Sequence, residues 1–292
     1  MPFADLGDVR LFYTDDAAST QSLQSAESAE HVPAPGRDPL LLVHGFAADS
    51  QDWAWHIEAL RAAGHRVIAA DLRGHGASSA PETGYRPEDL AGDLARLLDH
   101  LGVERVVAFG HSMGGMVVTA LAHAHPERVR GLLCVDPAYG QPAEVAAFFP
   151  AMVDALGKDP HATVLGMEPV LYVPSTPPFV RTSHARKILA TPAHVLAQAF
   201  PAMFTGDGAW GARPASDERI AARACPVLTI RADAAQAAWE SELSKHPASR
   251  AVHWPESGHR LHEERPEQFL HAAIDWLEEL GRLDELDKEK SA

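Results

Sequence analysis

The stretch Gly110-His111-Ser112-Met113-Gly114-Gly115 decides how this 292-residue chain is read. An apolar run, Val106-Val107-Ala108-Phe109, leads into it. Met116-Val117-Val118-Thr119-Ala120-Leu121-Ala122 leads out with the composition of a buried helix. The pattern Gly-x-Ser-x-Gly between a strand and a helix predicts a sharp elbow with the serine at its tip. At such an elbow the backbone passes close to itself, and Gly110 and Gly114 bring no Cβ to clash there. The backbone N–H groups at the start of the helix then face whatever negative charge forms at the serine. The simpler reading, Ser112 as a helix N-cap on a glycine-rich turn, accounts for the serine but not for the further motifs downstream.

Working outward, short apolar strands alternate with helical patterns. The strands are expected at Val9–Tyr13, Leu40–Val43, Arg66–Ala70, Val106–Phe109, Leu132–Val135, Val227–Ile230 and Ala251–Trp254. Helical spacing covers Trp53–Ala63, Pro87–Leu101, Met113–His125 and a last amphipathic segment, Pro266–Leu280. This alternation predicts an α/β fold, a mostly parallel sheet with helices on both faces. Two stretches interrupt it. Residues 15–38 are rich in Ser, Ala, Glu, Gln and Pro and read as a mobile loop. Residues 140–216 are rich in Pro, Phe and Met, with helical patches at Ala143–Leu156 and Ala193–Phe204, and read as a helical cap inserted into the core. The core domain is then 1–139 and 217–292. Asp284–Ala292 reads as a charged, frayed end.

Composition narrows the function classes. Hydrophobic residues make up 46% of the chain and charged residues 22%, enough for a large core. A formal charge of −15 argues against nucleic acid and anionic membranes as partners. Two cysteines, Cys134 and Cys225, do not make a disulfide framework or a zinc site. The N-terminus shows no secretory signal pattern, and no run reaches the roughly 18 apolar residues of a membrane span. The expectation is a cytoplasmic protein that needs no cofactor and no metal.

Taken in order, His44-Gly45-Phe46, Asp71-Leu72-Arg73-Gly74-His75-Gly76-Ala77-Ser78, Gly110–Gly115 and Ser257-Gly258-His259 resemble the α/β-hydrolase family over about Val9–Leu280. The resemblance implies an eight-stranded sheet and hydrolysis of esters or related bonds. It makes Ser112 the nucleophile and His259 its base. It also makes the backbone N–H groups of Phe46 and Met113 the oxyanion donors. The Asp71–His75 segment is read as structural. His259-x-x-His262 has a metal-pair spacing, but no further ligand spacing or His-Glu-x-x-His pattern accompanies it. Serine at the elbow excludes the alkyl-enzyme chemistry of epoxide hydrolases and haloalkane dehalogenases of this fold, which use aspartate.

The acid that orients His259 departs from the common family pattern. The usual Gly-x-x-Asp turn after the Pro226-Val227-Leu228 strand reads Ala232-Asp233-Ala234-Ala235, so its acid position falls on alanine. Asp233 stands two residues early. Asp136, at the end of the strand next to the nucleophile's own, is the other candidate and is preferred here. Family members such as lactonases of the zearalenone-hydrolysing type place their acid after this strand. The activity expected is cofactor-independent cleavage of a small apolar carboxylic ester or lactone through an acyl-enzyme. Carbon–carbon bond hydrolysis of a diketone-type substrate by the same residues is the alternative. A ligand-binding protein that does not turn over is a third reading. Tyr139, Trp210 and Phe148 are the candidate substrate-binding residues.

Overall fold

The computed structural model describes residues 2–16 and 37–291, with 284–291 described through their backbone alone. Eight strands form one sheet: β1 (Phe3–Asp5), β2 (Arg10–Asp15), β3 (Leu40–Val43), β4 (Val67–Ala70), β5 (Val106–His111), β6 (Val129–Val135), β7 (Val227–Arg231) and β8 (Arg250–His253). Their spatial order is β1-β2-β4-β3-β5-β6-β7-β8. The pairs β1–β2 and β2–β4 are antiparallel, and all pairs from β4 to β8 are parallel.

The central strands are apolar throughout, yet their alternation still divides them between two faces. Leu41, Val43, Ala108, Leu132 and Cys134 point to one core, which the helices Pro87–His100 and Met113–Ala124 cover. Leu40, Leu42, Phe109, Leu133 and Val135 point to the other. There Trp53, Phe269 and Trp276 close the layer from the segments around Ala54–Ala62 and Pro266–Ser291. Both faces are therefore sealed. The sheet offers ligands only the loops at its strand ends, and Ser112 stands at one of these, at the C-terminal end of β5.

Between β6 and β7 the chain forms helices Ala143–Ala146, Phe149–Leu156, Pro160–Leu165, Glu168–Leu171, Pro178–Ala190, Ala193–Phe204 and Ala215–Ala221. The single helix expected over Ala143–Leu156 is two, separated at Ala147–Phe148. Pro150 lies in the first turn of the second, where a missing N–H costs nothing. The expected loop over residues 15–38 falls almost entirely outside the described residues, and Asp15 itself ends β2. The C-terminal reading needs correction: Pro266–Ser291 is one helix, so the charged tail continues it. Leu, Glu and Lys are strong helix formers, and a run of charge does not by itself end a helix. Among the described residues no helix is long and apolar enough to cross a membrane.

Candidate active site

The elbow has the strain its sequence implies. Ser112 has φ 52° and ψ −116°, a backbone region that non-glycine residues rarely enter. A Cβ at Gly110 would stand 2.4 Å from the Gly114 carbonyl oxygen. One at Gly114 would stand 2.3 Å from the Val43 oxygen and 2.6 Å from that of His44. Backbone cannot yield as a side chain can, so both positions require glycine.

Asp136 comes from the strand next to that of Ser112. In the β5–β6 register Gly110 faces Cys134 and His111 faces Val135, which carries Ser112 and Asp136 off adjacent strand ends together. Two hydrogen bonds tie the turns: Ser112 N–H donates to Val135 O, and Ala138 N–H donates to Ser112 O, both at 3.0 Å. The Asp136 backbone itself lies in the left-handed region, at φ 38°. Its Oδ2 accepts a hydrogen bond from His259 Nδ1 at 2.7 Å, and its Oδ1 accepts the Ala232 N–H at 3.2 Å. That leaves His259 Nε2 unprotonated when the ring is neutral, the tautomer a general base requires. Asp233, the competing acid, is instead the N-cap of the helix Ala234–Leu243 and accepts the Gln236 N–H at 2.8 Å. The two-residue offset in the turn has given it a different task.

His259 reaches the elbow through His111. The two rings lie 4.8 Å apart, and His111 Nε2–H donates to the His259 carbonyl at 3.0 Å. Among the described residues no hydrogen bond joins the Ser112 hydroxyl to His259. Such contacts are commonly loose without substrate and tighten on binding.

On the other side of the serine, a Cβ at Gly45 would meet Ser112 Cβ at 3.1 Å, so the His44-Gly45-Phe46 loop lies directly against the elbow. Neither Phe46 N–H nor Met113 N–H is spent on a hydrogen bond among the described residues. The loop is fixed by His44, whose role the sequence did not reveal. Its Nε2 accepts the Leu72 N–H at 2.9 Å, so Nδ1 carries the proton and donates to Gly45 O at 2.8 Å. Asp71 braces the same edge by accepting the Ser50 and Ala77 N–H groups, each at 2.8 Å.

The binding residues expected from sequence require correction. Tyr139 is fully buried. Its hydroxyl donates to Glu240 at 2.7 Å and accepts from Arg223 at 2.9 Å, and its ring stacks on Trp210 at 5.9 Å. Trp210 is 2% exposed and donates its indole N–H to Glu88. Packing and hydrogen bonds already cover both. Phe148 is 73% exposed at the break between two helices, so its ring faces solvent. The aromatic side chains near the His44-Gly45-Phe46 loop are others. Phe46 lies 6.4 Å from Phe200, which packs on Phe149 and Phe204.

Behind Tyr139, Glu240 is held by Arg231, Arg223 and Thr229. Burial would raise its carboxyl, but the two guanidinium groups outweigh burial and lower it to about 2. Arg231 also donates to Pro137 O at 2.8 Å, so this cluster buttresses the loop that carries Asp136.

A second buried cluster lies beneath His259. Asp52, His111 and His262 bring ligand-type atoms within 4.8 Å of one another. Asp52 already pairs with Lys187 Nζ at 2.5 Å and Arg260 Nη2 at 2.6 Å. Two cations thus occupy the carboxylate and repel a dication. Burial, reinforced by neighbouring positive charge, holds the His111 and His262 rings well below the ordinary imidazole range and therefore neutral.

The chain matches the family described as the alpha/beta hydrolase fold over residues 38–210. A protein of Variovorax paradoxus that bears the name of a carbamate hydrolase, RutD, is 33% identical over 258 residues, covering 85% of this chain and 94% of that protein. With two other curated relatives, the acetoin-cleaving acetyltransferase components of Cupriavidus necator and Pseudomonas putida, the match spans 27% and 64% of the relative's length. Among solved structures, an esterase from Thermogutta terrifontis is similar at TM-score 0.75 and 28% identity, over 95% of this chain and 96% of that one. An enol-lactonase from Burkholderia xenovorans gives TM-score 0.75 and 25% identity over 94% and 99%. The strand order, the strained serine between β5 and its helix, and these matches lead to one conclusion: the chain belongs to the α/β-hydrolase fold family.

Proposed function

We propose that this protein is a serine hydrolase that cleaves a small apolar carboxylic ester or lactone through an acyl-enzyme on Ser112. The observation that carries the reading is the 2.7 Å contact of Asp136 with His259 Nδ1, beside a serine held at positive φ. In the proposed cycle His259 Nε2 takes the Ser112 proton as the hydroxyl attacks the carbonyl carbon. Asp136 stabilises the imidazolium that forms. The Phe46 and Met113 N–H groups receive the oxyanion. The imidazolium returns its proton to the leaving alkoxide. His259 then activates water to release the acid and free the serine. Residues 140–216 serve as a cap that selects the substrate, with residues 1–139 and 217–292 as the core. The esterase and lactonase among the similar structures support an ester or lactone bond as the target.

The test combines labelling with turnover. A fluorophosphonate is expected to label Ser112 alone. Ser112→Ala is expected to stay folded and lose at least about 10³ in turnover on whichever member of an ester, lactone and diketone panel the wild type accepts. Full activity in the alanine variant would overturn the proposal.

A further inference from the structure

The loop that carries His259 is held from outside the sheet. His259 N–H donates to Leu171 O, an atom of the inserted helices, at 2.8 Å. The preceding Gly258 N–H donates to Glu264 Oε2 at 2.6 Å. The other Glu264 oxygen accepts the Thr176 hydroxyl at 2.7 Å, and Thr176 Oγ1 in turn accepts the Val173 N–H at 3.0 Å. The fit is close: a Cβ at Gly258 would stand 2.4 Å from Glu264 Oε1, 2.9 Å from Leu171 O and 3.2 Å from Tyr172 Cα. On the far side of His259 there is a second tie. Arg260 pairs with Asp52, whose carboxylate also takes Lys187 from the helix Pro178–Ala190. The insert therefore grips the histidine loop on both sides of residue 259.

We infer that Thr176 and Glu264 are positioning residues for His259, and that the insert segment Leu171–Thr176 sets where the imidazole stands relative to Ser112. The inference rests on the serine-hydrolase reading above. The Asp136 contact fixes one ring atom and leaves the ring free to swing about it. The backbone on which the ring hangs must be fixed separately, and the Leu171 carbonyl and the Glu264 carboxylate do this. A hydrogen bond from the nearly fully buried Thr176 hydroxyl to a carboxylate is charge-assisted, and so stronger than a neutral one. Without it Glu264 is free to rotate away from Gly258, and the loop loses its stop. A displacement near 1 Å in a reacting group costs up to about 10² in rate.

Thr176→Val removes the hydroxyl at nearly constant shape, and Thr176→Ser restores it. With a p-nitrophenyl ester, Thr176→Val is expected to lower kcat by about 10- to 100-fold, with KM changed by less than about twofold. The downfield Nδ1 proton resonance of His259 should weaken, and fluorophosphonate labelling of Ser112 should slow in parallel. Thr176→Ser should recover all three. A residue that only stabilised the insert would lower Tm and leave kcat and the proton signal in place. Wild-type kcat, labelling rate and proton signal in Thr176→Val would overturn the inference. So would equal impairment of the Ser and Val variants. If Thr176→Val does not fold, Glu264→Gln carries the same measurements, since an amide cannot accept from both partners with the strength of a carboxylate. A wild-type protein that is not labelled at Ser112 would sink the serine-hydrolase reading itself. A labelled wild type with an unimpaired Thr176→Val would sink only the positioning role.

Discussion

Asp136→Asn separates the two aspartates most sharply. The carboxylate and the His259 ring touch at 2.7 Å, and both side chains are about four-fifths buried. In the proposed cycle Ser112 gives up its proton and the ring becomes a cation with its charge centred about 4 Å from that of the carboxylate. At the effective dielectric of about 20 that suits partly buried pairs, this attraction is worth roughly 4 kcal/mol. That corresponds to about three decades in rate. The amide removes the charge and also presents an N–H toward Nδ1, which drives the ring to the wrong tautomer. A total loss of about 10³ to 10⁴ in kcat/KM follows. Circular dichroism should show an unchanged fold, because Asn keeps the acceptor for the Ala232 N–H. Asp233→Asn is the control. Asn caps a helix about as well as Asp, so stability and activity should both stay near wild type. Retention of more than about a tenth of the activity in Asp136→Asn would refute the reasoning. So would finding that Asp233→Asn is the inactive variant.

Other expectations are as direct. Gly114→Ala places a methyl 2.3 Å from the Val43 oxygen and 2.6 Å from that of His44. It should cost about 1–3 kcal/mol or more in urea unfolding and reduce turnover by shifting the His44-Gly45-Phe46 loop. Wild-type stability would contradict the packing argument. The lowered Glu240 carboxyl stabilises the fold fully above pH about 4.5, and that stabilisation is lost as pH falls toward about 2. The pH-dependent part is on the order of 3 kcal/mol. Glu240→Gln should therefore flatten the fall in unfolding midpoint between about pH 5 and pH 3. An unchanged slope would place the acid lability elsewhere.

Much of this architecture was legible in the chain because it depends on local rules. Ser112 sits where backbone sterics demand glycine on either side. The α/β alternation follows from apolar runs whose lengths differ between strand and helix. Asp136 could be preferred because it ends the strand beside that of Ser112, and its side chain does meet His259. Tyr139 was misread for a reason the sequence hides. Its proximity to Asp136 along the chain makes it a candidate substrate-binding residue, but Arg223, Arg231 and Glu240, up to 101 residues away, claim its hydroxyl and ring. Phe148 and Trp210 failed in opposite senses, since hydrophobicity alone does not say whether a ring is covered, stacked or left in water. Glu264 and Thr176 left no signal at all. Their significance lies in a contact across 88 residues between two otherwise ordinary polar side chains.

Ser112 and Asp136 are 24 residues apart and ride on one strand–helix–strand unit, while His259 arrives 123 residues after Asp136. Contacts of short sequence separation form early, and those that close long loops form late. During synthesis Ser112 and Asp136 leave the ribosome together, with the inserted helices next and His259 among the last parts. A nascent chain can thus assemble two members of the proposed triad and remain chemically silent. Hydrolysis would begin only when β8 docks and its loop is gripped by helices made before it. Turnover then reports a finished fold, not a collapsed one, and fluorophosphonate reactivity measured during refolding would serve as a clock for the final docking step.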